Sequence, residues 1–221
     1  MARFSRVVLP GYPHHVTQRG VRSMEIFQDD DDRREYLHLL RQQGDRHGLQ
    51  YLAYCLMSNH VHFVVVPEKT DSLARAIGEG HRLYTRMINF RQGKIGYLFQ
   101  GRFFSCPLDE DYLYACLRYV ERNPVRVIKK VKHAWDYEWS SARYHIGLID
   151  SDPLVYPHEL LEPIDNWRLF LSKESDDLDV LRGKTRTGRP CGSGTFVEKA
   201  EFLTDRVLSP RKPGPKPTLK E

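Results

Sequence analysis

The chain has 221 residues, of which 40% are hydrophobic and 29% charged, and its net charge is +5. That length and balance fit one globular domain with an extension, or two small domains. No apolar run approaches the roughly 20 residues of a membrane span. The opening residues, Met1 to Arg6, lack the apolar core of a secretion signal. The four cysteines, Cys55, Cys106, Cys116 and Cys191, form no C-x-x-C pair. They argue against a zinc knuckle or disulfide framework and suit a reducing cytoplasm. Charge is unevenly placed: +6 over residues 1–149, −7 over 150–181 and +6 over 182–221. The reading is a basic domain at 1–149, an acidic helical bridge at 150–181 and a basic, largely extended tail at 182–221. Pro210, Pro213, Pro215 and Pro217 crowd that tail, and Pro-rich basic segments bury little apolar surface.

In chain order, His14 to Gly20 reads as a first strand. The run Asp29 to Asp32 precedes a helical pattern over 30–46 that ends near Gly44 or Gly48. Carboxylates at a helix start act as caps and complement the macrodipole. Strands follow near 50–56 and 60–66, rich in β-branched and aromatic residues and closed by Pro67. Side chains alternate along a strand, so His60 and His62 share one face while Val61 and Phe63 share the other. Two imidazoles side by side on a rigid strand supply much of a divalent-metal site. Residues 72–90 read as a second helix, whose Arg75, Arg82 and Arg86 form either a solvated face or phosphate contacts. A turn-rich connector, 93–101, leads into an expected strand over 99–105.

The next element, Asp109 to Asn123, has Asp109 as N-cap. Leu113, Cys116, Leu117 and Val120 recur at helical spacing on a core-facing side. Pro124 is expected to stop this helix at or just before Asn123. Tyr119 and Asn123, four residues apart, are neighbours on its surface. The helix therefore ends by presenting a phenol beside a carboxamide. Read singly, Tyr119 is a packing tyrosine and Asn123 a cap.

Ser58-Asn59-His60-Val61-His62 together with Tyr119-Val120-Glu121-Arg122-Asn123-Pro124-Val125-Arg126 resembles the single-tyrosine HUH transposases. The pattern is most similar to the REP-associated tyrosine transposases. Residues 13–20, 99–103, 139–143, 187–190 and 210–217 carry further likeness, so the resemblance spans nearly the whole chain. It implies an α+β fold, an antiparallel sheet with helices packed on it. It also implies Tyr119 as nucleophile, a 5′-phosphotyrosine intermediate, and a single-stranded DNA hairpin as substrate. His60, His62 and Asn123 would hold Mg²⁺ or Mn²⁺, of which Mn²⁺ accepts imidazole more readily. Arg19, Gln100, Arg102, Arg126, Lys129, Lys130, Lys132, Arg211 and Lys212 are candidate DNA contacts. Tyr84, Phe99 and Phe103 read as core residues or base-stacking platforms, and Trp135, Tyr137 and Trp139 as packing residues. The expected setting is a bacterial nucleoid-associated protein, monomer or homodimer, away from membranes. A rolling-circle replication nickase and a non-catalytic hairpin-binding regulator are the alternatives. The intact His60, His62, Tyr119 and Asn123 set argues against the regulator. Without DNA, the basic tail is expected near the acidic bridge or across the active-site groove.

Overall fold

Strand alternation sorts the apolar residues into two cores on opposite faces of one sheet. The structure, a computed structural model, describes residues 5–174 and 178–209. Four strands, β1 (His14–Arg19), β2 (Leu49–Leu56), β3 (His60–Pro67) and β4 (Phe104–Pro107), form an antiparallel sheet in the order β2-β3-β1-β4. Helix α1 (Asp30–His47) joins β1 to β2, and α2 (Ser72–Gln92) joins β3 to β4. This β-α-β-β-α-β order is ferredoxin-like and places β3 and β1 at the centre of the sheet.

Val61, Phe63 and Val65 of β3 point to one face, where α1 and α2 cover them with Tyr36, Leu37, Leu40, Leu73, Ile77 and Tyr84. Val64 and Val66 point to the other, where α3 (Glu110–Glu121) packs Leu113, Cys116, Leu117 and Val120. The acidic run before α1 acts as a cap: the Asp29 carboxylate accepts from the Asp32 amide at 2.8 Å. Gly48, at φ +62°, turns the chain directly from α1 into β2. Tyr84 and Phe99 are core residues, as the packing alternative has it.

Three expectations are corrected, and the expected stop of α3 just before Asn123 is met. The strand expected over 99–105 spans only Phe104–Pro107. Gly101, at φ +64°, turns the chain there, and Phe99 and Phe103 fold into the core instead. The α3 helix ends at Glu121, and a second short helix, α4 (Asn123–Val127), restarts at once. Pro124 breaks the first helix but is well placed in the first turn of the next. The acidic stretch 150–174 is mostly irregular. After α5 (Ala142–His145) it holds one 3-10 turn, Glu159–Leu161, and α6 (Trp167–Ser172).

The described part of the expected extended tail is helical, as α7 (Leu178–Thr187) and α8 (Gly194–Thr204). Leu181 and Thr185 lie one helical turn apart and are both buried, with α7 packed against β4, β1 and α3. Phe196 and Ala200 of α8 pack on Val7 and Leu9. The prolines that argued for an extended tail, together with Arg211 and Lys212, lie outside the described residues. Among the described residues, no helix is long and apolar enough to cross a membrane.

Candidate active site

On the α3 face, the apolar alternation of β1 and β3 gives way to polar side chains. A cleft of about 820 Å³ opens there, walled by His15, Arg19, His60, His62, Tyr119 and Asn123, with Arg126 from α4 and Arg182, Thr185 and Arg186 from α7. Strand pairing brings the histidines together. Thr17 stands opposite His62 and His15 opposite Val64, so the His15 and His62 rings stack at 5.3 Å on the same face. The Tyr119 ring meets both edge-on, at 5.6 Å from His15 and 5.2 Å from His62.

The histidines are neutral near pH 7. Burial and the neighbouring Arg19 charge lower the His60 pKa to about 4. Burial lowers that of His15 to about 3, and burial with the surrounding His15, His60 and arginine charges holds His62 well below its usual value. Hydrogen bonds then select the tautomers. His60 Nδ1 lies 2.7 Å from Asn59 Oδ1, which accepts and leaves Nε2 with its lone pair.

The His62 side has a longer chain. His62 Nδ1 faces His15 Nε2 at 3.0 Å, and His15 Nδ1 faces Thr185 Oγ1 at 2.7 Å. The Thr185 hydroxyl donates to the Leu181 carbonyl at 2.8 Å. Only one assignment serves every bond: His62 donates to His15, His15 donates to Thr185, and His62 keeps its Nε2 lone pair.

Asn123 completes the set. It is buried, and its carboxamide lies within hydrogen-bonding reach of His60, yet Oδ1 completes no hydrogen bond. Burying an amide oxygen without a partner costs about 1–3 kcal/mol. Two neutral imidazoles and one orphaned amide oxygen fit a divalent cation such as Mn²⁺ or Mg²⁺. Among the described residues, no cluster of three His, Cys, Asp or Glu suits a metal. Asp29 to Asp32 are spent on the helix cap and on Arg33, Arg34 and Arg91.

The phenol has its own partners. Arg126 and Arg182 are both within hydrogen-bonding reach of the Tyr119 hydroxyl, with guanidinium carbons 4.4 and 5.6 Å from the ring centre. Burial lowers the Arg126 pKa, while the bond to Tyr119 raises that of Arg182.

Between Tyr119 and Asn123, Glu121 points the other way. Its fully buried Oε1 accepts from Ser141 Oγ and lies 2.7 Å from His145 Nδ1. Ser141 Oγ in turn accepts from the Tyr54 amide of β2 at 2.9 Å. The end of α3 is thereby tied to the sheet, which fixes Tyr119 and Asn123 relative to the histidines.

The sequence pattern of IS200-like transposases matches residues 11–123, just over half of the chain and the span from β1 to Asn123. The chain belongs to the IS200-like transposase family. As a member it is an enzyme that nicks and transfers DNA. Its fold is similar to a solved REP-associated tyrosine transposase bound to a REP hairpin, at TM-score 0.56 and 17% identity, over 72% of this chain and 93% of that one. A candidate transposase from Deinococcus radiodurans R1 aligns at TM-score 0.37 and 16% identity, over 54% of this chain and 96% of that one. No curated protein matches the chain.

Of the residues singled out in this transposase's sequence, His60, His62, Tyr119, Asn123, Arg19, Gln100 and Arg126 line the cleft. Arg102 lines a different groove, beside α2. Lys129, Lys130 and Lys132 are exposed beyond α4 and are not cleft residues. Tyr112 and Tyr114 are half-buried packing residues of α3. Sequence reasoning missed His15, Glu121, Arg182 and Thr185 as functional positions. The odd-numbered positions of β1 carried a signal for His15, since pairing with β3 puts it on the face of His62. Nothing local announces Arg182 or Thr185, because 170 residues separate His15 from Thr185.

Proposed function

We propose that this transposase cleaves single-stranded DNA at the foot of an imperfect hairpin, with Tyr119 as nucleophile. The observation that carries the reading is the convergence of Arg126 and Arg182 on the Tyr119 phenol, whose ring centre lies 5.2 Å from that of His62. The hairpin substrate comes from the likeness to the REP-associated transposase bound to a REP hairpin.

In this mechanism the Tyr119 hydroxyl gives up its proton to solvent as its oxygen becomes the nucleophile, with Arg126 and Arg182 within hydrogen-bonding reach of that oxygen. The phenolate oxygen attacks phosphorus in line with the departing 3′ oxygen. One P–O bond forms to Tyr119, one breaks, and the leaving oxygen takes up a proton as a 3′-hydroxyl. His60 and His62 through Nε2, with Asn123 through Oδ1, would hold a divalent cation. Such an ion supplies Lewis-acid polarisation of a phosphate oxygen. The 5′-phosphotyrosine ester keeps the bond energy, so a second 3′-hydroxyl reverses the step and joins strands without ATP. Arg19 and Gln100 at the cleft rim position the phosphates around the scissile bond.

The test is a covalent protein–DNA band. Single-stranded hairpin DNA from the host genome and Mn²⁺ should give an adduct that survives denaturation and disappears with EDTA. Hairpin binding without any adduct, under every divalent metal tried, would favour the non-catalytic regulator.

A further inference from the structure

Helix α3 ends at Glu121 and α4 begins at Asn123, so the chain breaks between the phenol and the carboxamide. The α3 ladder holds Tyr119, but it does not extend to Asn123. Asn123 lies in the first turn of α4, where backbone N–H groups lack intrahelical partners. The next residue, Pro124, has no N–H to offer. The relative placement of Tyr119 and Asn123 therefore depends on what holds the two residues between α3's last turn and α4, Glu121 and Arg122.

Both are anchored. Two residues of helix turn through roughly 200°, so Glu121 leaves α3 on the side away from Tyr119. Its side chain and that of His145 are 0% and 4% exposed. One oxygen, Oε1, serves both neighbours: the Ser141 hydroxyl donates to it, and His145 Nδ1 lies 2.7 Å away. Ser141 is bound in turn to β2, where its Oγ accepts from the Tyr54 amide and its own amide donates to the Tyr54 carbonyl at 3.2 Å. The His145 ring stacks on Trp167 of α6 at 4.0 Å. Arg122 holds the same helix by donating to the Leu171 carbonyl. The junction is thus fastened to β2 through Ser141, and to α6 through His145 and Arg122.

Stability alone does not favour this arrangement. Replacing a buried acid–base pair by apolar side chains of similar volume is often neutral for stability or better. Two atoms of the pair, Glu121 Oε2 and His145 Nε2, are moreover buried without a hydrogen-bond partner. What the pair does supply is direction, because a hydrogen bond fixes an angle as well as a distance. A metal-binding amide must be held within about 0.5 Å of its productive position, and packing around a helix break does not ensure that.

We propose that Glu121 is a positioning residue for cleavage: its bonds to Ser141 and His145 set the junction of α3 and α4, and with it the place of Asn123 Oδ1 relative to Tyr119, His60 and His62. Residues 139–143 supply the anchor through Ser141, and they lie beyond the span 11–123 that matches the family pattern. This role rests on the reading of Asn123 as a metal ligand and Tyr119 as nucleophile, and the test separates the two. The full chain is compared with Glu121→Gln, Glu121→Asp and Glu121→Leu/His145→Leu. Calorimetry reads Mn²⁺ binding to the protein without DNA, and chemical denaturation reads stability. Single-turnover adduct formation on single-stranded hairpin DNA reads cleavage.

Glu121→Gln keeps an accepting oxygen at the same reach, so Mn²⁺ affinity and adduct rate should stay within a few-fold of wild type. Glu121→Asp keeps the charge but shortens the arm, so Mn²⁺ affinity should fall about tenfold and the adduct rate with it. The double leucine variant should match or exceed the wild-type denaturation midpoint. It should nevertheless bind Mn²⁺ about 10- to 100-fold more weakly, with hairpin affinity held by the phosphate contacts. Wild-type Mn²⁺ affinity in both the aspartate and the double leucine variants overturns the proposal and leaves Glu121 a packing residue. Glu121→Gln as weak as Glu121→Asp also overturns it, since charge rather than reach would then matter. If the double variant falls short of the wild-type midpoint, the glutamine and aspartate variants decide alone. If no adduct ever forms on hairpin DNA, the cleavage reading falls, and the order of the Mn²⁺ affinities still supports or overturns the role of Glu121.

Discussion

The two faces of the sheet are built from alternate residues of the same strands, yet they solve different problems. On the α1/α2 face, Val61, Phe63 and Val65 meet Tyr36, Tyr51, Tyr84 and Phe99 in a dense aromatic core. On the α3/α7 face, the positions next door are His60 and His62, opposed by His15, Tyr119 and Asn123. Both faces are rigid for different reasons. The first is held by packing, and the second by a hydrogen-bond chain that runs from β3 through His15 and Thr185 into α7. Buried polar networks specify one arrangement only when every member is satisfied. Beside this network, Asn123 Oδ1 is buried without a hydrogen-bond partner and is the oxygen proposed to meet a cation.

If the faces divide labour in this way, mutations should separate chemistry from stability. The largest effect is expected from Tyr119→Phe, which removes a single oxygen. The adduct should fall to background, while hairpin affinity and melting temperature stay near wild type. Adduct at normal yield would move the nucleophile elsewhere, with Tyr112 or Tyr114 the next to test. His62→Ala and Asn123→Ala should each lower cleavage by about two orders of magnitude or more, since each removes a proposed metal ligand. Their hairpin affinity should stay within a few-fold, because phosphate contacts carry most of it. Parallel losses of binding and cleavage would mean that these residues organise the fold instead.

The converse experiment is Phe63→Ala, one residue from His62 but facing the other way. It leaves a cavity under α1 and α2 and should cost about 3–5 kcal/mol of stability. Chemical denaturation reads that loss, and the single-turnover cleavage rate of the folded fraction should hold within a few-fold. A hundredfold slower rate with little loss of stability would break the comparison between the faces.

The sequence made the division of faces legible, because period-two alternation around His60 and His62 is a local signal. The cap at Asp29, the helix start at Asp109 and the pairing of Tyr119 with Asn123 are local for the same reason. What stayed hidden depends on long-range contact. Arg182 and Thr185 reach the site only because α7 packs across β4 and β1. Charge and proline content, averaged over 182–221, masked a helix whose buried side is Leu181 and Thr185. Glu121 was visible as a carboxylate next to the apolar Leu117 and Val120. Its partners, Ser141 and His145, lie beyond Pro124 and the irregular chain that follows. The 99–105 segment was misread because aromatic residues favour strands on average, and Gly101 overrides that average with one turn.

The smallest predicted effect tests the link between the far helix and the metal. Thr185→Val keeps the shape of the side chain and deletes the hydroxyl. His15 Nδ1 then loses its acceptor in a fully buried site. An unsatisfied N–H there costs about 1–3 kcal/mol, which is enough to favour the other His15 tautomer. That tautomer presents an N–H on Nε2, toward His62 Nδ1, so His62 must give up its own Nδ1 proton to avoid two facing donors. The proton moves to His62 Nε2, the nitrogen proposed to bind the cation. Mn²⁺ affinity should therefore fall about 10- to 100-fold, as for other losses of an orienting partner behind a ligand. Thr185→Ser should restore it. Isothermal titration reads the affinity, and the nitrogen-15 shifts of the histidine rings read the tautomers directly. Unchanged histidine shifts with weakened Mn²⁺ binding would make Thr185 a packing residue only. Unchanged Mn²⁺ binding with switched shifts would show that His62 Nε2 is not the atom that meets the metal.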